Sequence, residues 1–309
     1  MKKAWMPGSF FLICMLVFAA RGTAGILDYL QAGDIAQNEG RQEEAIEFYT
    51  KALASGTLSQ EVASRTYNNR GYAYHLIGAY DLAVADFNEA VKLNPWFIAA
   101  YVNRAASYDK KGEFDLAVAD ADKVTRMKPF LADAYIIRGV IYENHGDHDT
   151  ALADYNKAIK LNPRLAGAYF HRGNLYRTQG DPDSAIADYS VVIALSPGHV
   201  DAYILRGELY RDQGRYDPAI ADFTRVLELD PKQTDTYSTL AVLHAKAKNI
   251  GQACSWLDQM LRKGLATREG LREDGSFADI RGEACFQELV AEDVTKEEPG
   301  QNEDGVDSE

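Results

Sequence analysis

Between residues 64 and 231, apolar and small residues fall at helical spacing in short stretches that come in pairs. Leu116, Ala117, Ala121 and Val124 mark one buried face of such a stretch. The stretch before it runs from about Ala99 to Lys111 and ends on Gly112, which suits a helix C-cap or turn. Pro129 lies just beyond the second stretch and stops it. The unit recurs. Arg70, Arg104, Arg138, Arg172 and Arg206 stand 34 residues apart. Each is followed by a small residue: Gly71, Ala105, Gly139, Gly173 and Gly207. Tyr74, Tyr108, Tyr142, Tyr176 and Tyr210 keep the same register, as do a turn glycine, an alanine and a proline in every unit. Each unit reads as two helices joined by a turn.

This pattern resembles the tetratricopeptide repeat (TPR) family, a helix–turn–helix repeat with a Gly-Tyr pair, an alanine, an aromatic and a proline. The resemblance is strong over 64–231. Upstream, Tyr29, Gly33, Gly40, Ala45, Tyr49 and Ala52 fit a divergent repeat. Downstream, Tyr237, Ala241, Ala253 and Trp256 fit a fading one, and FADIRGEACFQELV is similar to the short helices that cap such arrays. A cap is needed because the last repeat would otherwise expose its apolar face. The resemblance implies an all-α, right-handed solenoid of antiparallel helix pairs, with about six to seven repeats and C-terminal capping helices. The expected layout is a signal peptide at 1–24, a first repeat and loop at 25–63, and five regular repeats at 64–233. A degenerate repeat with caps follows at 234–291, then an acidic tail at 292–309.

The chain departs from the family's usual pattern by placing arginine before the mid-helix small residue five times. Asp86, Asp120, Asp154, Asp188 and Asp222 recur at a matching offset, which predicts a ladder of ion pairs. An anion-binding arginine stripe is the alternative, and the equal number of acids speaks against it. Glycine in mid-helix costs about 1 kcal/mol relative to alanine. Its recurrence suggests that two helix backbones approach closely there.

In the resembled fold the first helices line a concave groove that binds peptides. Carried onto this chain, the groove positions are Asn68, Asn69, Tyr72, Val102, Asn103, Ile136, Ile137, Val140, Phe170, His171 and Asn174. Asparagine both donates to and accepts from a peptide backbone. The aliphatic residues would bury a partner's side chains, or would pack on neighbouring repeats instead. The clamp that some such proteins close on a chaperone's C-terminal carboxylate is not expected. Its cationic positions fall on Leu30 and Asp34, then Ala99 and Asn103, and only Asn69 matches.

The N-terminus carries Lys2 and Lys3, an eleven-residue apolar run from Phe10 to Ala20, and small residues at Gly22 and Ala24. This is the layout of a secretory signal, with cleavage expected after Ala24, or after Ala19 or Ala20. An uncleaved anchor, or a lipid on Cys14, would place the protein at a membrane. Periplasmic or extracellular location follows from this reading. The net charge of −13 disfavours nucleic acid and anionic lipid as partners. Residues 292–309 hold eight acids and one lysine, lack aromatics, and are expected to be disordered. Cys254 and Cys285 form either one disulfide or two buried thiols.

Signals for catalysis are thin. His145, Asp147, His148 and Asp149 sit together in one turn and have metal-binding chemistry, but turn positions are usually solvated. No phosphate loop or nucleophile elbow is present. The reading is a non-enzymatic scaffold without cofactor or metal, binding a protein or peptide. An oligomerisation scaffold using its convex face or ends, and an accessory subunit gripping an enzyme's substrate, are the alternatives.

Overall fold

The computed structural model describes residues 25–291. The expected signal peptide, Cys14 and the acidic tail lie outside the described residues. Among the described residues all regular structure is helical, and the chain divides into two compact units between Pro163 and Arg164. The division falls inside the run of regular repeats.

The first unit is built of four helix pairs: α1 (Ile26–Asn38) with α2 (Gln42–Ala54), α3 (Gln60–Leu76) with α4 (Tyr80–Leu93), α5 (Ile98–Lys111) with α6 (Phe114–Met127), and α7 (Ala132–Asn144) with α8 (His148–Leu161). Each pair packs together, and each second helix packs on the next first helix. The second unit has three pairs: α9 (Ala166–Thr178) with α10 (Pro182–Leu195), α11 (Val200–Asp212) with α12 (Tyr216–Leu229), and α13 (Asp235–Lys246) with α14 (Ile250–Arg262). It closes with α15 (Arg268–Glu273), a 3-10 turn (Gly275–Ile280) and α16 (Ala284–Val290). This is an all-α repeat fold of the solenoid class.

Local chemistry accounts for the breaks. Gly112 ends α5 in the left-handed conformation, φ 75°, which any side chain would strain. The equivalent position in the seventh pair is Lys248, held at φ 61° without the benefit of glycine. The second helices end before Pro95, Pro129, Pro163, Pro197 and Pro231. The repeat alanines Ala83, Ala117, Ala151, Ala185 and Ala219 are wholly buried.

The last repeat is sealed by a core of its own. Leu271, Phe277, Ile280, Phe286 and Val290 cover Tyr237, Ala241 and Leu257. Cys254 on α14 and Cys285 on α16 form a disulfide, Cα–Cα 6.1 Å, which resolves the two readings of that pair.

Candidate functional site

The five arginines are fixed inside the repeats. Arg70 Nε and Nη2 each lie 2.7 Å from an oxygen of Asp86. The same two-pronged pair joins Arg104 to Asp120, Arg138 to Asp154, Arg172 to Asp188 and Arg206 to Asp222, at 2.6–2.9 Å. The aspartates are buried, so each planar fork meets a desolvated carboxylate. Burial pushes the Asp86 carboxyl upward, and the Arg70 guanidinium pulls against that shift. Asp154 holds Arg138 above the ordinary guanidinium range, against its own burial.

Two further contacts were not legible in advance. The remaining Nη1 reaches back into the preceding repeat, from Arg70 to Thr50 Oγ1 (2.9 Å), Arg104 to Asn88 Oδ1 (2.6 Å), Arg138 to Asp122 Oδ1 (2.7 Å) and Arg206 to Ser190 Oγ (2.8 Å). These acceptors share a position, one residue after the second-helix ring (after Ala121, which replaces the ring, in the case of Asp122), but no residue type. A small polar residue recurring there is the signal that could have found them. Tyrosines three before and four after the arginine flank its guanidinium, as Tyr169 and Tyr176 do at 5.5 and 5.8 Å from Arg172.

The mid-helix glycines face rings. A Cβ on Gly71 would lie 2.8 Å from Phe87, on Gly139 2.7 Å from Tyr155, and on Gly173 2.9 Å from Tyr189. The expected close approach is therefore of helix backbone to an aromatic side chain, with the second helix's own backbone farther off. A ring needs that flat contact, and a methyl group would fill its space.

With the cations committed, the outward side of the first helices in the first unit is left to amides and aliphatics. Asn103 Nδ2 donates to Asn68 Oδ1 (3.0 Å), Asn68 to Asn69 (3.3 Å), and Asn69 to Asp34 Oδ1 (3.3 Å). Tyr49 OH donates to the same Asp34 oxygen at 2.7 Å. The row crosses α5, α3 and α1, three consecutive first helices. Tyr72, 39% exposed, stacks beside His75, whose Nδ1 lies 2.9 Å from Ser107 Oγ. Ser107 Oγ also donates to Asn103 O (2.9 Å).

The apolar members divide between packing and exposure. Val102 packs against the cluster of Tyr101, Val124 and Ala134, and Ile137 against that of Ala105, Ala117 and Ala121. Ile136 and Val140 are half-buried on α7. In the second unit Phe170 packs on Tyr189 and His199, ring centroids 6.0 and 4.7 Å away, and lies edge-on to His171. Asn174 Oδ1 accepts from Tyr189 OH at 2.7 Å.

His145 and Asp147 of the His-Asp turn bond to different partners. His145 Nε2 turns to Asp109 (3.3 Å), and Asp147 caps α8 through Thr150 N–H (3.1 Å). Among the described residues no group of three or more His, Cys, Asp and Glu is placed to hold a metal ion. No helix there is long and apolar enough to cross a membrane.

Family profiles described as "Tetratricopeptide repeat" match residues 29–55, 64–97, 98–130, 132–165, 170–234 and 210–267. The chain belongs to the tetratricopeptide repeat family. Its fold is similar to that of a TPR repeat-containing protein from Cytophaga hutchinsonii, solved as its C-terminal part, at 19% identity and TM-score 0.59 over 78% of this chain and 98% of that one. A tetratricopeptide repeat protein from Parabacteroides merdae matches at 17% identity and TM-score 0.55, over 86% and 97% of the two chains. Pseudomonas aeruginosa pilF matches at 16% and 0.55, over 68% and 96%. At these identities the likeness is one of fold. No curated protein matches the chain in sequence. TPR folds are in general non-catalytic scaffolds for protein–protein interaction.

Proposed function

We propose that this TPR protein is a non-enzymatic, exported scaffold of the cell envelope that holds a protein or peptide partner along its first helices. The row from Asn103 through Asn68 and Asn69 to Asp34 carries the reading. It links three repeats, with Asn68 buried at its centre, Asn69 and Asn103 half-buried and Asp34 exposed. Tyr72 with its exposed ring and the half-buried Ile136 and Val140 belong to the same set of first-helix positions. Amide side chains that already bond one another are pre-oriented, and an extended backbone would exchange one partner for another at small cost. The five repeat arginines are locked into the Arg–Asp ladder, and Asp34 is the charged end of the row. Export is supported by the signal-like N-terminus and by the Cys254–Cys285 disulfide, since such bonds persist in oxidising compartments.

The test is a pull-down from envelope extract with mass spectrometry. Asn69→Ala with Asn103→Ala should release the partner while helical content and cooperative melting are kept, the midpoint falling only by the cost of leaving the buried Asn68 amide unpaired, about 1–3 kcal/mol. Retention of every partner by that variant would remove the first-helix surface from consideration.

An oligomerisation scaffold is favoured by one observation. Ile35 is 47% exposed, whereas the equivalent positions Ala73, Ser107, Ile141, Leu175, Leu209 and Leu243 are all buried. The open end beside Ile35 and Leu27 would associate with a second surface. Sedimentation that shifts with concentration, and is abolished by Ile35→Asp, would favour this reading over the first.

A further inference from the structure

We propose that the edge of the first unit formed by its inter-repeat loops docks on an anionic lipid surface, with Trp96 and Phe130 entering the interface and Lys92, Arg126, Lys128 and Lys160 facing the headgroups. Trp96 is 76% exposed and Phe130 85% exposed. Both directly follow the proline that ends a repeat, one repeat apart in neighbouring loops. The equivalent residues farther on are Arg164, Gly198 and Lys232, so the position itself does not require an aromatic. Single exposed apolar residues are ordinary, but two large rings at equivalent positions of adjacent repeats form a pattern.

The loops hold these rings outward. Tyr101 OH donates to Pro95 O (3.3 Å), and Tyr135 OH donates to Pro129 O (3.1 Å). Asn94 Oδ1 accepts the Trp96 N–H at 3.1 Å. The rings sit on pinned, protruding tips. Tips suit a soft surface that they can enter, where a peptide would need a cleft. Tryptophan and phenylalanine gain most at the boundary of headgroups and acyl chains.

Charge points the same way. The second helices α4, α6 and α8 each carry a cation in the last turn, Lys92, Arg126 and Lys160, whereas α10 and α12 carry none. Lys128 stands in the loop beside Phe130, and the Lys92 and Arg126 side chains are 72% and 68% exposed. Glu89 pairs with Lys92 (3.3 Å), and Asp122 is shared between Arg138 (2.7 Å) and Arg126 (3.9 Å). Glu61 and Asp133 stand in first turns at the same edge, so Lys128 and Lys160 carry most of the unmatched charge. The acids Asp81, Asp115 and Asp149 lie in the first turns, at the far ends of the same helices. The net charge of −13, which disfavours anionic lipid for the chain as a whole, is thus unevenly spread. Each cation held within a Debye length of an anionic leaflet adds to the attraction.

The test uses the mature chain, from Gly25 on, and vesicles of phosphatidylglycerol with phosphatidylcholine, some of the lipid brominated. Binding should shift tryptophan emission to the blue, and the brominated lipid should quench a component that Trp96→Phe removes. Trp96→Ser and Phe130→Ser should each weaken binding about tenfold, with unchanged melting curves. Lys92→Glu with Arg126→Glu and Lys128→Glu should weaken it as well, as should high salt or vesicles of phosphatidylcholine alone. The apolar run Phe10–Ala20 would bind both vesicle types alike, and the chain that begins at Gly25 lacks it. Full vesicle binding by the Trp96→Ser, Phe130→Ser double variant of that chain overturns the proposal. So does binding indifferent to headgroup charge, or a Trp96 that captures a soluble protein and ignores vesicles.

Discussion

Ala105 and Ala121 share one buried cluster, at the two positions where the other regular repeats set a glycine against an aromatic ring. The loss of the ring and the gain of the methyl group compensate each other. Ala121→Phe alone should overpack against Ala105 and cost about 1–3 kcal/mol. Adding Ala105→Gly should recover much of that, a coupling of about 0.5–3 kcal/mol in a double-mutant cycle. Gly173→Ala should destabilise by about 1–3 kcal/mol although alanine favours helix, because its Cβ meets Tyr189 at 2.9 Å. Urea unfolding measures all four variants. Strict additivity of the Ala105 and Ala121 changes would show that the two sites do not share space.

The ladder is structural and should respond like a buried ion pair. Arg138→Met strands the Asp154 carboxylate, whose side chain is 5% exposed, and should cost about 3–5 kcal/mol. Arg138→Met with Asp154→Leu should regain most of the loss, since a matched apolar pair leaves no bare charge. If the double variant were no better than the single, the cost would lie in the contacts to Asp122 and Tyr135 instead.

Stability should form a plateau between the histidine and tyrosine ranges. Burial, helped by Lys110, lowers His75 below its ordinary value of 6.5, and burial lowers His244 against the pull of Asp217. Below pH 6.5 the unfolded chain binds protons that the folded chain resists, so these contributions are full above that value and lost as pH falls. Burial pushes Tyr189 from 10 to about 12, and Arg177 opposes it. Its contribution is full below pH 10 and lost as pH rises through about 12. Urea midpoints across this span should show both limbs, and His75→Gln should flatten the acid one. An acid limb identical in His75→Gln would assign the slope to other groups.

The disulfide closes a segment of 31 residues that contains α15 and the 3-10 turn. Such a loop contributes about 3–4 kcal/mol by restricting the unfolded chain. Cys254→Ser with Cys285→Ser should lower the stability of the second unit by about that amount, and reductant should do the same to the wild-type chain alone. A variant that melts like wild type under both conditions would mean that the apolar cap suffices.

The sequence by itself determined the repeat, the helix pairs and the Arg–Asp ladder. Residues 34 positions apart must occupy equivalent places, and a buried guanidinium needs a carboxylate at a matching offset. The resemblance to the family, and not the period itself, marked Asn68, Asn69 and Asn103 as groove positions, and of these Asn68 is buried. The sequence left Cys254 and Cys285 open, because pairing is a matter of distance. It could not say that the three asparagines bond one another, that Arg104 reaches back to Asn88, or that glycine clears space for a ring. Those contacts join residues on different helices through side-chain geometry, and no period within one helix carries them. Tertiary packing decided, too, which apolar residues are covered. Phe170 resembles Phe130 in composition, yet Phe170 lies on Tyr189 and His199 while Phe130 stands in solvent, because one side chain meets a neighbouring helix and the other projects from a pinned loop.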